Sequence, residues 1–239
     1  MSDVTYLYSS NDVRNPFRNA LALWRAIRNP ANAYEAKLVE IGFASSRFGR
    51  RFARWRDVAE TLLVDARTAA RLRERRSVGP IDLDAIAQLP EQTLGRLLAE
   101  HCRSRGLNPN LIRMQPTSAE DWILNELYQT HDIWHVATGW GTDPVGEMGV
   151  GGFYIAQLHG PRFIALLIFF FMVKAVFFAP RTFAERIDAL TAGYTMGKCA
   201  APLFGLDWTE LWGLPLQQVR EQLHIDASRV IGDGIHIVR

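Results

Sequence analysis

The stretch "HDIWHVATGWGTDPVGE", His131 to Glu147, gathers His131, Asp132, His135 and Glu147, side chains of metal-ligand type, into one short segment. If the residues around His131 are helical, His131 and His135 lie four apart and project from one face. Asp132 then sits roughly 60° round the helix from His135, at about 100° per residue. Two imidazoles with one or two carboxylates suit zinc or another divalent first-row ion, since imidazole is a borderline-soft ligand and carboxylate a harder one. The plainer alternative is a solvated helix face or a capped helix end. Glu147, twelve residues after His135, weighs against that alternative if the chain turns back between them.

The intervening residues predict such a turn. Gly139 and Gly141 of "GWG" should end the first helix, because glycine is the usual residue just past a helix C-terminus. "TDP" should begin a second helix, with Asp143 as N-cap and Pro144 in the first turn. Glu147 then falls on that first turn, facing the two imidazoles.

The remainder of the chain reads as helix. "NPFRNALALWRAIRN", "DVAETLLVDARTAARLRERR", "PEQTLGRLLAEHCRSRG" and "PLQQVREQLHI" repeat apolar residues every three to four positions, whereas strand-like alternation is scarce. The end "GDGIHIVR" fits a strand or a loose tail. At 239 residues and 48% hydrophobic composition the chain can bury a sizeable core. The breaks at "VGPIDLD", "GLNPN" and "FAPRTF" are too short to be interdomain linkers. The expectation is all-α: one helical-bundle domain over residues 1–239, with a helix-turn-helix metal site and an apolar lipid pocket.

Cys102 and Cys199 lie far apart with no CxxC spacing, so neither a disulfide framework nor a cysteine zinc site is indicated, and a reducing compartment fits. The first residues have no apolar h-region of a secretory signal. Residues 1–120 carry 19 Lys+Arg against 13 Asp+Glu, so the basic excess is N-terminal. Its densest run, "RFGRRFARWRDV", spaces Phe48, Phe52 and Trp55 helically among Arg47, Arg50, Arg51, Arg54 and Arg56. This suits either an anionic membrane surface or an arginine-coated helix packing its aromatic stripe on the core. Nucleic acid is disfavoured, because no recognition motif accompanies the charge.

"RFIALLIFFFMVKAVFFA", Arg162 to Ala179, is apolar on all sides between Pro161 and Pro180. Arg162 and Lys174 interrupt it, which argues against a membrane span. A buried central helix, a tunnel wall or a face dipping into lipid are the readings left. Before it, Gly146, Gly149, Gly151 and Gly152 each cost about 1 kcal/mol of helix propensity relative to Ala. Close helix packing would repay that cost, and so would room for a bulky ligand beside Glu147.

"LPEQTLG", "HDIWHVATG" with its following "GE", and "LWGLPLQQVREQLHI" together resemble the ubiquinone (coenzyme Q) biosynthesis family of the fourth Coq protein. The similarity covers about residues 65–225, leaving 1–64 as an N-terminal helical extension. The chain departs from the family at the glycine run after Glu147, where bulkier apolar residues are more usual. The resemblance implies an all-helical fold and a zinc-type metal held by His131, Asp132, His135 and Glu147, which would also be the catalytic residues.

It further implies removal of the C1 carboxyl from a polyprenylated hydroxybenzoate, in some accounts coupled to hydroxylation. The implied setting is peripheral, on the inner face of the cytoplasmic membrane or its organelle equivalent, among other ubiquinone-biosynthesis proteins; homo-oligomers are left open. An apolar pocket for the isoprenoid tail is expected from Gly149, Gly151, Gly152, Phe153, Tyr154, Phe163, Phe169, Phe170 and Met172. One rival is a non-catalytic lipid-binding scaffold with a structural metal. Another is an HD-type phosphohydrolase using His101 with Asp188 or Asp207, which leaves His135 and Glu147 unexplained. A metalloprotease is weaker, because Asp132 is shorter than the general-base Glu of HExxH.

Overall fold

The computed structural model describes residues 54–230 apart from 75, 111, 114 and 115, together with residues 8, 9, 15, 46, 49 and 51. Ten described α-helices build it: α1 (Trp55–Leu62), α2 (Ala66–Glu74), α3 (Leu83–Ile86), α4 (Leu94–Arg105), α5 (Ala119–Gln129), α6 (His131–Thr138), α7 (Pro144–Gln157), α8 (Arg162–Phe178), α9 (Phe183–Cys199) and α10 (Leu216–Leu223). Two-residue strands β1 (Tyr8–Ser9) and β2 (Ile112–Arg113) pair in parallel, Tyr8 opposite Ile112. The fold is a single helical domain around one core, in which Trp122, Trp134, Trp140 and Trp208 are buried with Phe153, Leu94 and Leu98.

The helically spaced stretch "DVAETLLVDARTAARLRERR" divides into α1 and α2. Asp65 causes the break, because its carboxylate accepts from the backbone N–H and the hydroxyl of Thr68, each at 2.7 Å, and so opens the second helix. The readings at "NPFRNALALWRAIRN" beyond Asn15, at "GDGIHIVR", and at Phe48, Phe52, Arg47 and Arg50 lie outside the described residues. Of the basic run, Trp55 is wholly buried, Arg54 pairs with Asp57, and Arg56 pairs with Glu60. This described portion is an arginine-coated helix packing its aromatic side chain on the core.

The glycines of α7 serve packing. α7 and α9 lie side by side in the same direction, Gly149 against Gly193 and Phe153 against Gly197. A Cβ on Gly152 would stand 2.1 Å from the Leu190 carbonyl oxygen, and one on Gly193 would stand 1.9 Å from that of Gly149. Backbones this close tolerate no side chain, which is the benefit that offsets poor helix propensity. Gly149 also lies under the Trp140 indole, 2.2 Å from where its Cβ would be. α8 is not the buried central helix that its composition allowed. It packs through Phe163, Ile164, Ile168 and Ala175 and exposes most of its remaining surface. Among the described residues no helix is long and apolar enough to cross a membrane.

Candidate metal centre

α5 and α6 join through Thr130, whose N–H bonds to the Glu126 carbonyl, so His131 begins a new helix directly. That helix ends where the glycine signal places it: Gly139 takes φ 88, and its N–H returns to the His135 carbonyl. Four residues on, the Asp143 carboxylate caps α7 by accepting from the backbone of Val145 and Gly146, with Pro144 in the first turn. Gly146 makes the tight return possible, since a Cβ there would sit 2.0 Å from the Gly141 carbonyl oxygen. The two helices close on each other as their caps dictate.

This hairpin brings His131, His135 and Glu147 together, with one ligand atom from each lying within 4.8 Å of the others. The two histidine Nε2 atoms are 3.2 Å apart. Glu147 Oε1 is 3.4 Å from Nε2 of His135, and Oε2 is 3.8 Å from Nε2 of His131. Tetrahedral bonds of about 2.0–2.1 Å would separate donor atoms by about 3.3–3.4 Å, so the set fits a small divalent ion. To such an ion the group would offer two imidazole nitrogens and one carboxylate, and the Glu147 side chain is 40% exposed.

The far side of each imidazole is held as well. His135 is fully buried, and its Nδ1–H donates to the Trp140 carbonyl at 3.0 Å, turning the Nε2 lone pair toward Glu147. His131 Nδ1 meets the Tyr154 hydroxyl at 3.4 Å, and that hydroxyl donates to the Leu127 carbonyl at 3.3 Å. The Tyr154 ring is fixed in turn by stacking on Trp134, centroids 4.4 Å apart. Burial opposes charge on His135, but the Glu147 carboxylate, the Trp140 carbonyl and Asp132 outweigh it, raising its pKa.

Asp132 is not part of the three-residue group. Its carboxylate acts on His135 through charge. His101 stacks on His135 at 6.0 Å, and neither of its nitrogens has a hydrogen-bond partner. Burial, then the charges of His135 and Arg105, push its pKa down to about 3, so it is neutral. Asp207 is committed to Arg71 and Thr209, and Asp188 is exposed on α9. Among the described residues the phosphohydrolase set does not assemble.

The nine positions expected to line a lipid pocket fall into different settings. Gly149, Gly152, Phe153 and Phe163 are packed in the core, Tyr154 supports His131, and Gly151 lies under Ile168. Met172 is half-buried, while Phe169 and Phe170 face outward. On α7 the glycines pack against α9, Trp140 and Ile168, while on α8 Phe169 and Phe170 are turned outward. Trp140 is the site residue the sequence reading missed; its place in the "GWG" turn between two ligand helices was the available signal.

Arg220 of α10 reaches back to this hairpin. Its Nε donates to the Ala137 carbonyl at 2.8 Å and its Nη2 to that of Val136 at 3.2 Å, satisfying two terminal carbonyls of α6. The segments "LPEQTLG" and "LWGLPLQQVREQLHI" also meet, through Leu94 N–H to the Leu214 carbonyl and Gly95 N–H to that of Trp212. The separated sequence blocks therefore form one connected framework around the ligands.

A family model described as coenzyme Q (ubiquinone) biosynthesis protein Coq4 matches residues 12–228. The chain is 30% identical over 174 residues to "Ubiquinone biosynthesis protein COQ4, mitochondrial" of Eremothecium gossypii, covering 69% of this chain and 52% of that protein. It is 25% identical over 163 residues to the mitochondrial COQ4 homolog of Rattus norvegicus, covering 64% of this chain and 58% of the other. The matches thus span little more than half the length of these relatives. A crystal structure of a candidate ubiquinone biosynthesis protein from Nostoc punctiforme superposes with a TM-score of 0.70 at 24% identity, covering 93% of this chain and all of the other; it bears on the fold alone. On the family match across most of its length, this chain belongs to the Coq4 family of coenzyme Q (ubiquinone) biosynthesis proteins.

Proposed function

We propose that the chain removes the C1 carboxyl group of a polyprenylated hydroxybenzoate at a divalent metal, zinc by ligand preference, held by His131, His135 and Glu147. The observation that carries this reading is the convergence of His131, His135 and Glu147 within 4.8 Å of one another, in a ubiquinone-biosynthesis family member. Bound there, the ion would supply Lewis acidity toward a carboxylate or phenol oxygen of the ring. The chain supplies orientation. Trp140 and Tyr154 fix the two imidazoles, and buried Trp134 and Phe153 keep water from the wall behind them.

In the step itself the bond between C1 and the carboxyl carbon breaks and carbon dioxide leaves. The electron pair stays on C1 and takes a proton, entering from the solvent side at Glu147. Hydroxylation at the same carbon would need an external oxidant, so the product distinguishes the two outcomes: C1–H for decarboxylation alone, C1–OH for the coupled reaction. Asp132, adjacent in charge but outside the ligand group, is assigned to tuning His135. The protein would work peripherally on the inner face of the cytoplasmic or organelle membrane, beside other enzymes of the pathway, as one domain over residues 1–239.

The test is metal analysis of the purified chain together with carbon dioxide release from a polyprenyl hydroxybenzoate. Metal-dependent release, lost in His135→Ala, supports the reading. Stoichiometric metal and bound lipid with no release would replace it with a non-catalytic lipid-binding scaffold.

A further inference from the structure

α8 is held to the protein along a narrow stripe. The Phe163 ring stands 5.8 Å from that of Trp55, and Ile168 lies against Gly151 of α7. On the other side Phe169, Phe170, Phe177 and Phe178 are 65%, 62%, 74% and 80% exposed, with Leu166, Phe171, Val173 and Val176 among them. A folded chain seldom leaves so continuous an apolar face to water, and where it does the face usually has an occupant.

Charge identifies the occupant. α8 carries Arg162 and Lys174 and no acidic residue, and Arg181 follows in the next turn; all three are exposed, and none pairs with a described carboxylate. A second copy offering the same face would bring rings to rings but cations to cations, with no carboxylate from α8 to answer them. Anionic lipid matches both features, apolar acyl chains for the rings and phosphate for the cations.

Its position is also informative. Glu147 and Gly151 lie one turn apart on the same face of α7, and Ile168 covers Gly151. α8 therefore borders the metal-ligand group at a distance of about one helical turn, ~5.4 Å along α7.

We propose that the outer face of α8 is the surface by which this protein lies on an anionic lipid bilayer, placing the His131–His135–Glu147 group about one helical turn of α7 from the helix that meets the lipid. The docking stands on the exposed face itself; only the identity of the lipid handed to the site rests on the proposed function.

The experiment is flotation of the full chain with vesicles of phosphatidylcholine, alone or mixed with phosphatidylglycerol. The wild type binds the mixed vesicles preferentially, and binding weakens as salt rises. A variant combining Phe170→Ser, Phe177→Ser and Phe178→Ser binds about tenfold or more weakly with unchanged melting temperature and metal content, since these side chains support nothing inside the fold. Lys174→Glu alone lowers binding to mixed vesicles but not to neutral ones. Equal vesicle binding by the triple variant overturns the proposal. So does conversion of a wild-type dimer to monomers, by light scattering, with vesicle binding retained, because the face would then be a protein interface. Vesicle binding that follows the proposal without carbon dioxide release would count against the decarboxylase reading alone.

Discussion

The backbone carbonyl of Trp140 lies 3.0 Å from Nδ1 of His135, while the Trp140 indole covers Gly149. One residue in the turn thus orients a ligand on the helix before it and seats the helix after it. The relationship separates the roles around the centre. His131, His135 and Glu147 would supply the donor atoms to an ion; Trp140 and Tyr154 hold the other nitrogen of each imidazole.

Metal affinity should separate those roles. His135→Ala or Glu147→Ala removes a donor and abolishes stoichiometric binding in a competition titration. Tyr154→Phe keeps the ring on Trp134 but removes the oxygen that meets His131, so it should weaken affinity by about tenfold while leaving the melting temperature nearly unchanged. Asp132→Asn, outside the ligand group, should retain stoichiometric metal. A complete loss of metal in Asp132→Asn would restore Asp132 to the ligand set.

Much of this centre was legible from short-range signals. Gly139, Asp143 and Pro144 end and start helices through their own backbone and side-chain chemistry, which acts within a few residues. Asp132 was harder to place, because a helical wheel puts it near His135 without revealing where the second helix enters. The glycines of α7 were ambiguous for another reason: their partner α9 lies some forty residues on, and spacing within α7 carries no record of it. α8 had no readable phase at all. When every side of a helix is apolar, periodicity cannot say which side the core takes.

Glu126 should give stability a pH dependence. Burial, with Asp207 adding and Arg71 opposing, raises its pKa from 4.5 to about 8, so the folded protein holds a proton that the unfolded chain releases. Its contribution is fully present below the unfolded value of 4.5 and is lost as pH rises toward about 8, at about 1.4 kcal/mol per pH unit. Glu126→Gln, neutral throughout, should gain on the wild type steadily across that window in urea unfolding. A stability difference that stays flat from pH 5 to pH 8 would show that Glu126 titrates normally.

The glycines of α7 should respond unequally to alanine. At Gly152 the new Cβ meets backbone of α9 at 2.1 Å, so the helices must separate, at a cost of about 3 kcal/mol or more. At Gly151 it meets only the flexible Ile168 side chain at 3.2 Å, and improved helix propensity of about 1 kcal/mol offsets the crowding. Thermal unfolding of the two variants should therefore differ by many degrees. Similar melting temperatures would mean that α7 and α9 are not in backbone contact.

Arg220 tests whether the last sequence block supports the first. Its guanidinium is buried, and burial lowers its pKa to about 10, which still leaves it charged at neutral pH; its N–H groups donate to the Ala137 and Val136 carbonyls at the end of α6. Replacement by Met keeps the apolar stem but leaves two buried carbonyls without this donor, at about 2–3 kcal/mol. The loosened end of α6 is the turn that carries His135 into Gly139 and Trp140. Arg220→Met should consequently lose metal affinity as well as stability, whereas Gln217→Ala, on the exposed side of α10, should alter neither. Metal affinity that survives a clear loss of stability in Arg220→Met would show that the ligand hairpin is held by its own caps, with α10 only packed against it.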